Sequence, residues 1–250
     1  MGKTEKLKEL FCAFCGGSTP APVKTEPQLP LKEMVRKLES FDEEDWGLYA
    51  FNREPLSGKF SAGQKRQYIR QANDCGKEWA ERIAEEYHTR RPGEIAAKMG
   101  IRVETPAVPV GGELVLFAQF VQPDEITIFT DCLDKASSME KESGCQMLNR
   151  ERLFEILLAH ELFHAVEERH EQEIYTRTEK VELWRKPFSN KSSIACLSEI
   201  AAMAFAAQLL GLTVSPYMLD VLLVRAYDRN MAAGLFEEIC RLTEEKMRGQ

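Results

Sequence analysis

With 250 residues, 44% of them hydrophobic and 29% charged, the chain can bury one sizeable core as a globular protein. Its net charge of −7 and isoelectric point of about 5.4 argue against a surface built for nucleic acid, and no direct nucleic-acid binding is expected. No apolar run approaches the roughly 18 residues of a membrane span, and the amino terminus lacks the apolar segment and small-residue cleavage site of an export signal, so a cytoplasmic protein without membrane contact is expected.

Seven cysteines, an odd number scattered along the chain, point to reduced thiols and not to a disulfide framework. Cys12 and Cys15 form a lone C-x-x-C. A structural zinc site would want a second pair, so two thiols on a tail are the simpler reading. Residues 16–30, "GGSTPAPVKTEPQLP", have linker composition.

"LKEMVRKLESF" has helical spacing, and "NREPLSGKFSAGQ" reads as a loop. From Lys77 to Met99 a helix or helix pair is expected, broken at "RRPGE", with Pro92 opening the second piece and Gly100 ending it. The period then changes. "IRVET", "ELVLFAQFV" and "EITIFTD" read as three strands, and "QPDE" is short enough for an antiparallel hairpin. Helix returns from Leu148 to about Arg169. "SSIACLSEIAAMAFAAQLLG" is a further helix, with Ser192 or Ser193 as N-cap and Gly211 closing it. "SPYMLDVLLVRAY" opens another, with Ser215 as cap and Pro216 at its first position. The fold class is therefore α+β, a small antiparallel or mixed sheet of about three strands packed on helices. The domain reading is a tail and linker over 1–30, a helical extension over 31–76, a core over 77–211 and a C-terminal helical extension over 212–250.

The chemistry concentrates in "LLAHELFHAVEERH", residues 157–170. Four residues along a helix turn about 400°, so His160 and His164 project from one face and can close on one cation. Glu161, about 100° round from His160, suits a carboxylate that takes a proton from metal-bound water. Two imidazoles and one carboxylate would leave Zn²⁺ an open position. The competing reading is a solvated helix with chance histidines. The apolar flank of Leu157, Leu158, Leu162, Phe163, Ala165 and Val166 argues against it.

Three residues compete as third ligand. Ligands in line at 160, 164 and 168 span about 12 Å, too far for one ion to reach Glu168. His170 completes the metzincin spacing, but that spacing needs a glycine turn where this chain has Glu167. Glu199 is favoured. It stands out in an apolar run whose Ala201, Ala202, Ala204, Ala206 and Ala207 would let two helices approach closely. A second Glu-x-x-His, Glu85 to His88, raises a di-iron bundle, but three strands lie where that bundle needs a helix.

"AHELFHA" followed by "EIAAMAFAAQLL", with "PGEIAAKMGIRVE" upstream, resembles the ImmA/IrrE family of zinc metallopeptidases over roughly residues 77–211. The resemblance implies a zincin-like intracellular fold, with His160, His164 and Glu199 as gluzincin-type ligands of Zn²⁺ and Glu161 as catalytic glutamate. It also implies a protein or peptide substrate. Members are tied to phage, mobile-element or stress regulation, and some act on a helix-turn-helix repressor. Two departures stand out: Phe163 replaces the usual glycine before the second histidine, and the stretch over 171–191 is longer than usual, as a lid or partner-binding loop would be. The expected function is a zinc-dependent metallo-endopeptidase, with Tyr175 or Tyr217 as rival candidates to steady the oxyanion. The alternative is a non-proteolytic zinc-binding regulator, which would have no use for Glu161 as a base.

Overall fold

The computed structural model describes residues 29–107, 117–184 and 190–248. The expected tail, with Cys12, Cys15 and most of the linker, lies outside the described residues, as does the start of "ELVLFAQFV". Two short helices lead, α1 (Leu31–Glu39) and α2 (Glu43–Asn52). A 3-10 turn over Ser57–Lys59 precedes the long α3 (Ala62–Tyr87) and then α4 (Pro92–Lys98). Strands β1 (Arg102–Glu104), β2 (Ala118–Val121) and β3 (Glu125–Ile128) follow. After them come α5 (Thr130–Ser137), α6 (Glu140–Ser143), a 3-10 turn at Gln146–Leu148 and α7 (Arg150–Arg169). The chain ends with α8 (Tyr175–Thr178), β4 (Val181–Trp184), β5 (Asn190–Ser192), α9 (Cys196–Leu210), α10 (Met218–Arg225) and α11 (Arg229–Arg248).

The architecture is α+β with a small mixed sheet. Its order is β1-β3-β2: the expected hairpin pairs Phe120 with Ile126, and β1 runs parallel to β3, with Val103 opposite Ile126. Ile126 and Ile128 of β3 are fully buried against the helices.

The apolar helix α9 packs between α3 and α7, and small residues make that possible. A Cβ added at Gly76 of α3 would lie 2.1 Å from the Ala201 carbonyl oxygen of α9, so only glycine permits this approach. On the other side Phe163 of α7 meets Phe205 of α9, ring centroids 5.5 Å apart, both fully buried. Phe163 thus joins the two helices carrying the candidate ligands.

Several boundaries differ from the sequence reading. Helix α3 starts at Ala62, inside the expected loop, because Ser61 and Gln64 form a capping box, and the helix runs through positions 76 and 77. Neither Ser192 nor Ser193 caps α9. Ser192 pairs with Val181 in the β4–β5 hairpin, and the Cys196 N–H donates to the Glu54 carboxylate at 3.0 Å, a cap supplied from a distant segment. Helix α10 opens at Met218 and not at Pro216. Ser215 instead accepts the Tyr217 N–H, organising the turn before it. The terminal extensions join each other: Lys246 of α11 pairs with Asp42 and Asp45 at the start of α2, at 2.9 and 2.8 Å. No helix among the described residues is long and apolar enough to cross a membrane.

Candidate metal centre

Asn149 caps α7 by accepting the Glu151 and Arg152 N–H groups, and twelve of the helix's twenty residues are buried, so its polar motif is held inside a core. His160 and His164 project one turn apart toward Glu199, in the first turn of α9. The His160 and His164 Nε2 atoms lie 3.2 Å apart. From Glu199, Oε2 lies 3.3 Å from His160 Nε2 and Oε1 lies 3.6 Å from His164 Nε2. Ligands bound tetrahedrally at 2.0–2.1 Å stand about 3.4 Å from one another, so these separations fit a shared cation. The two Nε2 atoms face each other, as they would around a shared cation. His160 is buried, whereas His164 and Glu199 keep 14% and 15% side-chain exposure, which leaves solvent a way in. The three residues could hold a metal ion, and they are the one such group among the described residues.

Supporting contacts suit the ligating tautomer. Ser198 Oγ donates to Glu167 Oε2 at 2.9 Å and lies 3.3 Å from His164 Nδ1. An N–H at Nδ1 donating to Ser198 leaves Nε2 bare for a cation. Glu167, 1% exposed, also accepts from Thr176 and pairs with Arg177 at 2.9 Å. Within the stretch over 171–191, helix α8 supplies Thr176 and Arg177 to the buried Glu167. Sequence reading placed Glu167 only where a metzincin glycine would stand. Its spacing three residues beyond His164, on the same face, was the available signal.

Electrostatics follow from this crowding. Burial disfavours a charged His164, yet the carboxylates of Glu199, Glu167 and Glu161 outweigh it and raise the imidazole to about 9. Burial likewise opposes the charge on Glu199, but His164 and His160 overcome it and hold the carboxyl below its usual value. Glu161, 5% exposed, is pushed up by burial; the two histidines oppose this and Glu199 adds to it. The backbone N–H of Phe120 in β2 lies near enough to the Glu161 carboxylate to oppose that rise, which puts the sheet edge beside the site.

The other candidates lie elsewhere. Glu168 accepts from Gln122 at 2.6 Å, off the ligand face. His170 caps the end of α7, with Nδ1 2.5 Å from Glu173 and its ring against Trp79. Glu85 and His88 are exposed, with His88 in the left-handed conformation that ends α3, so the di-iron reading has no site there. The Tyr175 hydroxyl donates to Gln71 at 3.1 Å. Tyr217 is stacked on Trp46 and lines a cavity of about 50 Å³ behind Glu199, with Asp220. Five further cysteines are free thiols, four of them buried.

Comparison with known proteins identifies no matching family model, no matching curated protein and no matching solved structure.

Proposed function

We propose that this chain is a zinc-dependent metallo-endopeptidase in which His160, His164 and Glu199 hold the ion and Glu161 is the general base. The observation that carries the proposal is the convergence of two Nε2 atoms and a carboxylate at 3.2, 3.3 and 3.6 Å, with a second, buried carboxylate alongside. A bound Zn²⁺ would polarise the scissile carbonyl and acidify a water to a pKa of about 7. Glu161 takes the proton from that water and returns it to the leaving amine. Its burial suits the role, because a carboxylate raised above its usual value is the stronger base. Glu167, through Ser198, keeps His164 in its ligating tautomer. Among the described residues β2 pairs on one side only, so an extended peptide could align along its other edge, next to Glu161. The resemblance to the ImmA/IrrE family supports an intracellular regulatory protein as substrate, and the buried free thiols agree with a reducing compartment.

Glu161→Gln tests the mechanism. Zinc content is expected to stay at the wild-type level while hydrolysis of a quenched fluorescent peptide library falls at least about a hundredfold. Cleavage by this variant at the wild-type rate would contradict the assignment.

A further inference from the structure

Away from the metal centre, a cavity of about 180 Å³ is walled by Leu31 at the start of α1, Lys135 and Ser138 at the end of α5, Glu142 of α6, and Arg225 and Arg229 at the junction of α10 and α11. Arg225 is 9% exposed, and its Nη1 is buried without a hydrogen-bond partner among the described residues. No carboxylate of the described residues lies within ion-pair distance of its guanidinium. A guanidinium does not shed its proton, so an unpaired one in a buried wall calls for an anion. Arg229 lines the same cavity and its charge repels that of Arg225, with the exposed Glu142 carboxylate the one counter-charge on the described walls. Burial and the Arg229 charge both push Arg225 below the usual arginine value, and Glu142 offsets this only in part.

The other cationic group is already engaged. Lys135 pairs with Asp131 at 2.8 Å and sits 3.9 Å from the centre of the Tyr227 ring. The Ser138 hydroxyl is also committed, donating to the Lys135 carbonyl at 2.6 Å. The cations on this cavity without a carboxylate partner among the described residues are thus Arg225 and Arg229. We infer that this cavity is a binding site for a phosphate group, held in fork geometry by Arg225 at its buried end and Arg229 at its rim. The site is independent of the metal centre and of the peptidase reading.

Thermal unfolding and calorimetric titration of the full chain with inorganic phosphate and with O-phosphoserine, against chloride at matched ionic strength, test the inference. At about 10 mM phosphate a saturable rise of several degrees in Tm is expected for the wild type. Arg225→Met keeps the apolar stem and is expected to weaken binding at least about tenfold. Should that variant not fold, the exposed Arg229→Gln reads the same loss. Binding of inorganic phosphate assigns a free ion. Binding of phosphoserine alone assigns a phosphoryl group carried on a larger molecule. Wild-type protein that responds to neither overturns the inference. So does phosphate binding that survives at both arginine variants, since the anion then sits elsewhere, the metal centre included.

Discussion

Replacing Gly76 by alanine probes the helix contact that brings Glu199 to the histidines. The new Cβ would stand 2.1 Å from the Ala201 carbonyl oxygen, and 2.9 Å from both its carbonyl carbon and the Ala204 Cβ. A carbon–oxygen contact relaxes at about 3.3 Å, so α3 and α9 would have to part by about 1.2 Å. Neither side can yield locally, because the opposing atom is helix backbone. Alanine gains about 1 kcal/mol of helix propensity over glycine. Overpacking costs about 1–3 kcal/mol, and a gap near 1 Å forfeits a quarter to a half of the dispersion energy along the contact. A net loss of about 2 kcal/mol is expected, equal to a fall of roughly 4–8 °C in Tm for a chain of this size. Gly63, in the same helix with nothing within 4 Å of its added Cβ, is the control. Its alanine variant should be unchanged or slightly more stable. Ala201 lies two residues beyond Glu199, so Gly76→Ala should also weaken metal binding, and Gly63→Ala should not. The assay is thermal unfolding with a competitive zinc titration. A Gly76→Ala protein as stable as Gly63→Ala would refute the close approach.

Glu167→Gln, which removes the charge bridging Ser198, Thr176 and Arg177, is expected to lower zinc affinity about 10- to 100-fold by competitive chelator titration. Glu54→Gln removes the carboxylate that accepts the Cys196 N–H and should destabilise the chain by about 1 kcal/mol in denaturant unfolding. Asp220 supplies a pH signature. Burial raises its carboxyl from 3.8 to about 8, with Arg53 opposing and Glu199 adding to the rise. The folded chain therefore holds this proton while the unfolded chain has released it. The associated stability is fully present below the unfolded value near 3.8 and is lost as pH rises through about 8. Asp220→Asn lacks that decline, so its stability relative to wild type should climb between about pH 4 and 8 and then level off. A constant difference across that range would contradict the assignment.

The cluster of His160, His164 and Glu199 was legible in the sequence because each clue is local. His160 and His164 share a helix face by spacing alone, and Glu199 is a carboxylate in a run that otherwise buries alanines. The di-iron and His170 alternatives failed for equally local reasons: no turn interrupts α7 before Arg169, and His88 ends its helix at the surface. Misread boundaries trace to long-range pairing. Ser192 looked like an N-cap, yet its backbone serves a strand, and the carboxylate that takes over the capping comes from Glu54. The parallel pairing of β1 with β3 is likewise invisible to periodicity, which fixes which side chains share a face and not which strand lies beside which. Glu167 was missed because one charged residue among several in "AVEERHEQE" acquires meaning only once Thr176, Arg177 and Ser198 surround it.

The central claim is that two imidazoles of α7 and one carboxylate of α9 hold a single divalent cation. Elemental analysis of the purified chain, with zinc affinity measured for the wild type and Glu199→Ala, tests it most directly. Close to one zinc per wild-type chain is expected, with a loss of affinity of at least about a hundredfold in the variant. A wild-type chain that binds no zinc, or a Glu199→Ala chain that binds it as tightly, would contradict the account.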